Sequence, residues 1–346
     1  MTRLFIVMLL LAATHVNAQH SLWSPDSLSN SSPNFAMDRY NQLLTYHDPI
    51  MYLAFPLIEP LKTRTIPLKD GEGKDGYWLE GNFTNRFVIH RGKYYNPGWL
   101  QRTRFTFDVA ITPRLTRDES SPLLPSNNRF GLGFDLLLSS TGNLIKDRTT
   151  PAWLTVQLLH YSNGHADSFF IRDDEGNQRN NYRSGDFSTN NLRVLFNLAN
   201  VSAGKHVLSA AVGWQRELDL SGPLGVSPQM RNSYGKHRAL FSFQWLRVSR
   251  LVVRNSIFST ATKKIAKQRQ FSFRTDMEYI AGDLSNYPYK NKYRFGCHAY
   301  LTYMPSTTNE VGFLIHGYTG RDYLNIRFDD IVFIGELGLY MRINKR

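Results

Sequence analysis

The chain has 346 residues, a single cysteine, and 41 Lys plus Arg against 28 Asp plus Glu, a formal net charge of +13. The lone Cys297 excludes an intrachain disulfide and any cysteine-based metal site. The basic balance suits anionic lipid head groups, or a rim of Lys and Arg at two interfaces. A nucleic-acid partner is not expected, because the chain lacks a basic helix and begins with an export signal.

That signal comes first in chain order. Arg3 supplies a positive start, Leu4 to Ala13 an apolar stretch, and Val16-Asn17-Ala18 a small-residue cleavage site. Residues 1–18 are therefore expected to be a cleaved signal peptide, with the mature chain starting at Gln19 and destined for a bacterial-type outer membrane. Residues 19–76 read as an irregular N-terminal leader with room for one short strand. They carry Ser29-Asn30-Ser31-Ser32-Pro33, then Pro49, Pro56, Pro60 and Pro67, then Asp70-Gly71-Glu72-Gly73.

From Tyr77 onward the pattern changes. Segments of about 10 residues alternate in polarity and are separated by Gly, Asn, Pro and charged turns. They fall at roughly 77–90, 100–114, 129–140, 151–162, 187–199, 205–217, 237–248, 250–260, 269–281, 292–304, 309–319 and 331–343. After Ala18 there is no run of about 18 apolar residues, so a helical span is not expected. Aromatics such as Trp78, Trp99, Trp153, Tyr161, Trp245, Tyr303 and Tyr340 gather near segment ends, as at a membrane interface. The pattern predicts an all-β protein: a single transmembrane antiparallel β-barrel of about twelve strands over 77–346. No internal repeat and no second domain are visible.

The segment Leu154 to Gly164 carries the chemistry. On a strand, residues two apart share a face. One face holds Leu154, Val156, Leu158, His160 and Ser162; the other holds Thr155, Gln157, Leu159 and Tyr161. The first is the more apolar and is expected to look at lipid. A histidine and a hydroxyl beside lipid cost free energy unless they are hydrogen-bonded or used. A His two residues from a Ser on one face can accept its proton, the base–nucleophile relation of serine hydrolysis. The segment at 187–199 supplies a group to orient the imidazole. Its apolar face holds Asn190, Leu192, Val194 and Phe196, so strand phase selects Asn190 over Asn191. Backbone N–H groups near Asn163 and Gly164 are candidates for the oxyanion.

These residues resemble the outer-membrane phospholipase A family. His160-Tyr-Ser162-Asn163-Gly164, followed by Asp167, is similar to its catalytic strand and turn. Glu119-Ser120-Ser121-Pro122, then Asn127 or Asn128, then Gly131-Leu-Gly133-Phe134, resembles the preceding loop and strand. Gly317-Tyr318-Thr-Gly320 and the closing strand through Gly335 and Gly338 resemble its final hairpin. The resemblance implies a twelve-stranded barrel with a triad of Ser162, His160 and Asn190 on its outer surface. It implies hydrolysis of acyl esters in membrane phospholipids, and calcium (Ca2+) shared between two barrels of a reversible homodimer. Ser120, the backbone carbonyl of His165, and Ser168 would be the calcium ligands. The sequence departs from the family in a longer loop between Gly164 and Thr189, so Asn190 rests on strand phase rather than on counting.

Alternatives remain at this stage. Lipid A deacylases also resemble the His-x-Ser-Asn strand, but use a Glu as third member in a smaller barrel. A non-catalytic barrel or pore keeping the motif is the other. Asp173-Asp174-Glu175 reads as a solvated acidic loop. Gly131-Leu-Gly133 is not a phosphate loop, since no helix follows. His47, His90, His237, His298 and His316 read as structural.

Overall fold

The structure is a computed structural model. It describes residues 50–63, 77–91, 102–117, 123–124, 126–143, 148–164, 167–172, 176, 178–181, 184–202, 206–220, 232–253, 265–285, 293–305, 311–324, 328 and 330–341. The expected signal peptide and residues 19–49 lie outside these.

In chain order the strands are β1 (Met51–Thr63), β2 (Tyr77–Arg91), β3 (Thr103–Thr112), β4 (Arg114–Thr116), β5 (Asn127–Asn143), β6 (Arg148–Ser162), β7 (Phe170–Arg172), β8 (Gln178–Asn180), β9 (Ser188–Ser202), β10 (His206–Leu218), β11 (His237–Val253), β12 (Ile265–Ala281), β13 (Phe295–Met304), β14 (Val311–Arg321) and β15 (Ile331–Met341). β7 and β8 form a separate hairpin in the loop after β6, and β4 continues β3 beyond Pro113 along β2. The other strands pair antiparallel in sequence order. β1 pairs with both β15 and β2, which closes a barrel of twelve strands. Closure leaves no sheet edge, and this is how a β-structure satisfies its backbone groups in a membrane.

Side chains alternate as a two-residue period requires. Along β14, Val311, Phe313 and Ile315 are exposed while Gly312, Leu314 and His316 are buried. The outer surface carries Leu132, Leu158, Leu198, Val212, Phe333 and Leu337 among its exposed apolar residues. The lumen is polar in the middle, around a cavity of about 380 Å³ lined by residues such as Asp108, Gln157, Arg193 and Arg274. At one end the lumen is filled by Leu137, Trp153, Ala199, Val201, Val207, Leu246 and Val248. An apolar exterior around a polar interior is the inverse of a soluble core, and it makes this a transmembrane barrel.

Two expectations need correction. The leader assigned to 19–76 contains β1, a barrel strand. The short strand allowed there is a full barrel strand: Pro56 and Pro60 sit at the two register shifts of the β1–β15 ladder, where a missing N–H is tolerated. Conversely, 250–260 is not a strand of its own. Residues 250–253 continue β11 without a break, pairing with β12 out to Val253↔Ile265; 254–260 lie outside the described residues. The expected total of twelve strands stands, with β1 in place of 250–260.

The barrel closes on a short seam. β1 and β2 share three residue pairs, Tyr52↔Asn82, Leu53↔Gly81 and Ala54↔Glu80, whereas β11 and β12 run in register from His237↔Ala281 to Val253↔Ile265. Side chains reinforce the seam from inside. Glu80 accepts from Tyr52 (2.6 Å), from Tyr323 (2.7 Å) and from Arg114 Nε (2.5 Å). Arg114 Nη1 reaches Asp322 at 2.8 Å, and its guanidinium lies over the rings of Tyr77 and Tyr323. Tyr77 donates to Glu336, whose other oxygen meets His316 Nδ1 at 2.7 Å, and His316 Nε2 meets His298 Nδ1 at 3.1 Å. The network ties β1, β2, β4, β13, β14 and β15 together. His298 and His316 sit within this network.

Removing one partner of a buried ion pair costs about 3–5 kcal/mol, because the other charge is left uncompensated. Arg114→Met strands both Glu80 and Asp322. It is expected to lower stability by about that amount in urea unfolding from lipid vesicles. A loss no larger than that of an outer-surface control such as Leu208→Ala would mean that the seam does not depend on this network.

Candidate active site

β6 carries the motif along its length. Gln157, Leu159 and Tyr161 line the lumen, so Leu158, His160 and Ser162 face outward, and Leu158 is 48% exposed there. On β9, Asn191, Arg193, Leu195 and Asn197 line the lumen, which turns Asn190 outward. In the ladder His160 stands directly opposite Asn190, and Ser162 opposite Ser188. His160 Nδ1 lies 2.9 Å from Asn190 Oδ1. Although it points outward, Asn190 is only 3% exposed, covered by its neighbours. The structure therefore brings His160 and Asn190 into contact and sets Ser162 at the next outward position. Asn191 is kept inside the barrel, away from His160.

The other flank is β5. Phe130 pairs with His160 and Asn128 with Ser162. The rings of Phe130 and His160 are 4.8 Å apart, so the imidazole is held between an aromatic face and a carboxamide oxygen. Gly131 permits the close approach of these strands, since a Cβ there would come 2.0 Å from the Leu158 carbonyl oxygen. Gly131-Leu-Gly133 lies within β5, consistent with its dismissal as a phosphate loop.

Past Ser162 the chain turns at Asn163 and Gly164, the latter at φ +74°, a left-handed conformation that suits glycine. Asn163 is a staple rather than a solvent-facing group. Its Nδ2 donates to Gly185 O (2.7 Å), its Oδ1 accepts from Phe187 N (3.1 Å), and its own N–H donates to Phe187 O (3.2 Å). The expected oxyanion donors are thus reduced: the Asn163 N–H is engaged, and the Gly164 N–H is the one left at the turn. The staple ties Gly185 and Phe187, just before β9, to the end of β6. There Phe169, Phe187 and Phe328 pack together with Tyr161, Phe170 and Tyr234. Burial pushes the Tyr234 hydroxyl well above its ordinary pKa, and the Arg238 guanidinium lies 4.1 Å over its ring. Sequence reading missed this aromatic cover, because its members come from β6 and from three separate connections between barrel strands.

Of the expected calcium ligands, Ser120 and His165 lie outside the described residues, as do Asp173 to Glu175. Ser168 is exposed, and its carbonyl accepts from Asn181 Nδ2 at 3.3 Å. Among the described residues the one cluster with metal-type donors is Glu80, His316 and Glu336. Its atoms are already satisfied by Tyr52, Tyr77, Tyr323, Arg114 and His298, so it serves the seam.

No family model matches the chain, and no curated protein matches its sequence. Solved structures do. Outer membrane phospholipase A from Escherichia coli aligns over 85% of this chain and 90% of its own, with TM-score 0.47 and 13% identity. An active-site mutant of that protein aligns over the same shares, with TM-score 0.48 and 12% identity. So does the outer membrane phospholipase dimer with bound calcium from Salmonella typhi, at TM-score 0.48 and 12% identity.

The staple is open to test. Asn163→Ala leaves buried Gly185 and Phe187 groups unpaired, at a cost of about 1–3 kcal/mol each. Trypsin should then nick the chain between 165 and 187 several-fold faster while the barrel stays intact on unheated gels. An unchanged nicking rate would show that the aromatic cluster alone holds the loop.

Proposed function

We propose that this protein is an outer-membrane phospholipase that hydrolyses acyl esters of glycerophospholipids with Ser162, His160 and Asn190. The observation that carries the proposal is the 2.9 Å contact of His160 Nδ1 with Asn190 Oδ1 on the outer barrel surface. A neutral amide is the partner that a lipid-facing histidine can hold without burying a charge. A structural histidine has no need of that contact in a place where an apolar side chain would cost nothing.

With the Nδ1 proton donated to Asn190, the Nε2 lone pair is left to accept from the Ser162 hydroxyl. Ser162 Oγ attacks the ester carbonyl as His160 takes its proton. His160 then gives that proton to the departing lysophospholipid alcohol, and Ser162 is left acylated. Water, deprotonated by His160, releases the fatty acid and restores the serine. Phe130 and Asn190 keep the imidazole from rotating away during both half-reactions.

Calcium belongs to this reading through donor chemistry: hydroxyl oxygens of Ser120 and Ser168 and the His165 carbonyl are hard oxygen ligands of the kind calcium takes. When bound, it would supply positive charge beside the developing oxyanion. Pairing of two barrels through the apolar surface around Leu158 and Phe196 is the companion proposal. The export signal at 1–18, the leader and the outer-membrane destination belong to the same reading. A lipid A deacylase would place a carboxylate where Asn190 stands. An open pore is disfavoured by the apolar packing at both lumen ends.

The test is fatty-acid release from mixed detergent–phospholipid micelles, with and without chelator. Ser162→Ala and His160→Ala should each abolish turnover with the barrel still formed, and the double variant should be little worse than either. Asn190→Ala should lower turnover by roughly 10²-fold, the scale of a misplaced catalytic group, and Asn191→Ala by much less. Retained turnover in Ser162→Ala would remove the nucleophile assignment. Full activity in chelator, from a species that never cross-links, would remove calcium and pairing while leaving the serine chemistry.

A further inference from the structure

We infer that Asn128 is a further catalytic residue, a side-chain oxyanion donor facing Ser162 from the neighbouring strand; this rests on the serine mechanism proposed above. The adjacent asparagines Asn127 and Asn128 look equivalent in sequence, and the two-residue period of β5 separates them. Asn127 points into the lumen, where its Nδ2 donates to the Tyr161 hydroxyl and, at 2.9 Å, to Tyr323 O. Asn128 points outward and stands directly across from Ser162. Cβ atoms of such cross-strand pairs are about 4.5–5.5 Å apart, so the carboxamide reaches the space in front of Ser162 Oγ.

Its orientation is set from the far side. Asn128 Oδ1 accepts from Ser126 Oγ at 3.0 Å, which turns the amino group toward the turn after β6. Asn128 Nδ2 lies 3.8 Å from where a Cβ would stand on Gly164. Among the described residues, that amino group has no hydrogen-bond acceptor. A half-buried donor with no acceptor, beside a nucleophile at a lipid surface, costs free energy unless something arrives to accept from it.

The need for it is equally local. An oxyanion requires donors placed where charge develops, and one donor is seldom enough. The Asn163 N–H, which the motif would offer, is engaged by Phe187 O at 3.2 Å. That leaves the Gly164 N–H, and the Asn128 amino group approaches the same turn. As Ser162 Oγ bonds to the ester carbon, the carbonyl π pair moves onto oxygen, and Asn128 Nδ2–H donates to it. When the C–O bond to the leaving alcohol breaks, that pair re-forms the carbonyl and the hydrogen bond weakens. Asn128 neither gains nor loses a proton.

The experiment compares Asn128→Ala and Asn128→Asp with wild type and Ser162→Ala, in steady-state hydrolysis of phospholipid in mixed micelles at saturating calcium. Barrel formation is checked by unheated gel migration. Loss of a single oxyanion donor should lower kcat by about 10²–10³-fold with KM changed by less than about twofold. Asn128→Asp keeps the shape of the side chain, removes the donor and adds negative charge, so it should be slower than Asn128→Ala. A steric or folding role predicts the reverse order, because the isosteric replacement would then be the milder one. The inference is overturned if either variant keeps kcat within about threefold of wild type, or if Asn128→Asp is the faster of the two. Wild-type protein with no hydrolysis, or Ser162→Ala with full hydrolysis, would instead overturn the parent reading and this inference with it.

Discussion

Closure of the barrel at β1–β2 is the constraint on which the rest depends. Three residue pairs are little backbone to seal a sheet against lipid, and an unsealed sheet would expose unpaired N–H and C=O groups to hydrocarbon. The buried Glu80 supplies what the backbone lacks, gathering Tyr52, Tyr323 and Arg114 onto one carboxylate. Because Arg114 also grips Asp322, the seam is tied to the β14–β15 loop. That loop contributes Phe328 to the aromatic cover over the mouth, so the end of the barrel that bears the site is held by the same charges that shut it.

The site inherits its order from this frame. β5, β6 and β9 run side by side in unbroken register around His160, and each strand gives one outward residue to it at nearly the same height. An imidazole and a hydroxyl that face lipid are held at least cost by uncharged neighbours. Here the imidazole is flanked by Phe130 and Asn190, both uncharged. Asn163 turns inward and ties Gly185 and Phe187 to the end of β6.

Legibility in the sequence followed from how local each feature is. The outward face of β6 could be read because a two-residue period is a property of neighbours along one strand, here Leu154 to Ser162. Choosing Asn190 over Asn191 needed only the phase of one strand, and the observed contact with His160 agrees with that phase. β1 could be read only as room for one short strand, because Pro56 and Pro60 argue against a long strand in isolation. Only pairing with β15, with register shifts to absorb them, makes the segment extended. The false strand at 250–260 has the opposite cause: β11 runs on past the length at which a membrane crossing is usually cut.

The sequence by itself determined the class of fold, the lipid-facing phase of His160 and Ser162, and, through the lone Cys297, the exclusion of an intrachain disulfide. All three follow from composition or from neighbours within one strand. Tertiary structure alone decided how the barrel closes and what fills it. It also decided that Asn127 serves the lumen while Asn128 faces Ser162, and that the Asn163 N–H is already engaged. Those facts depend on residues brought together across strands and loops, such as Glu80 with Tyr323 or Asn163 with Phe187. Such contacts are set by sheet register and closure, which no stretch of sequence expresses until the barrel is complete.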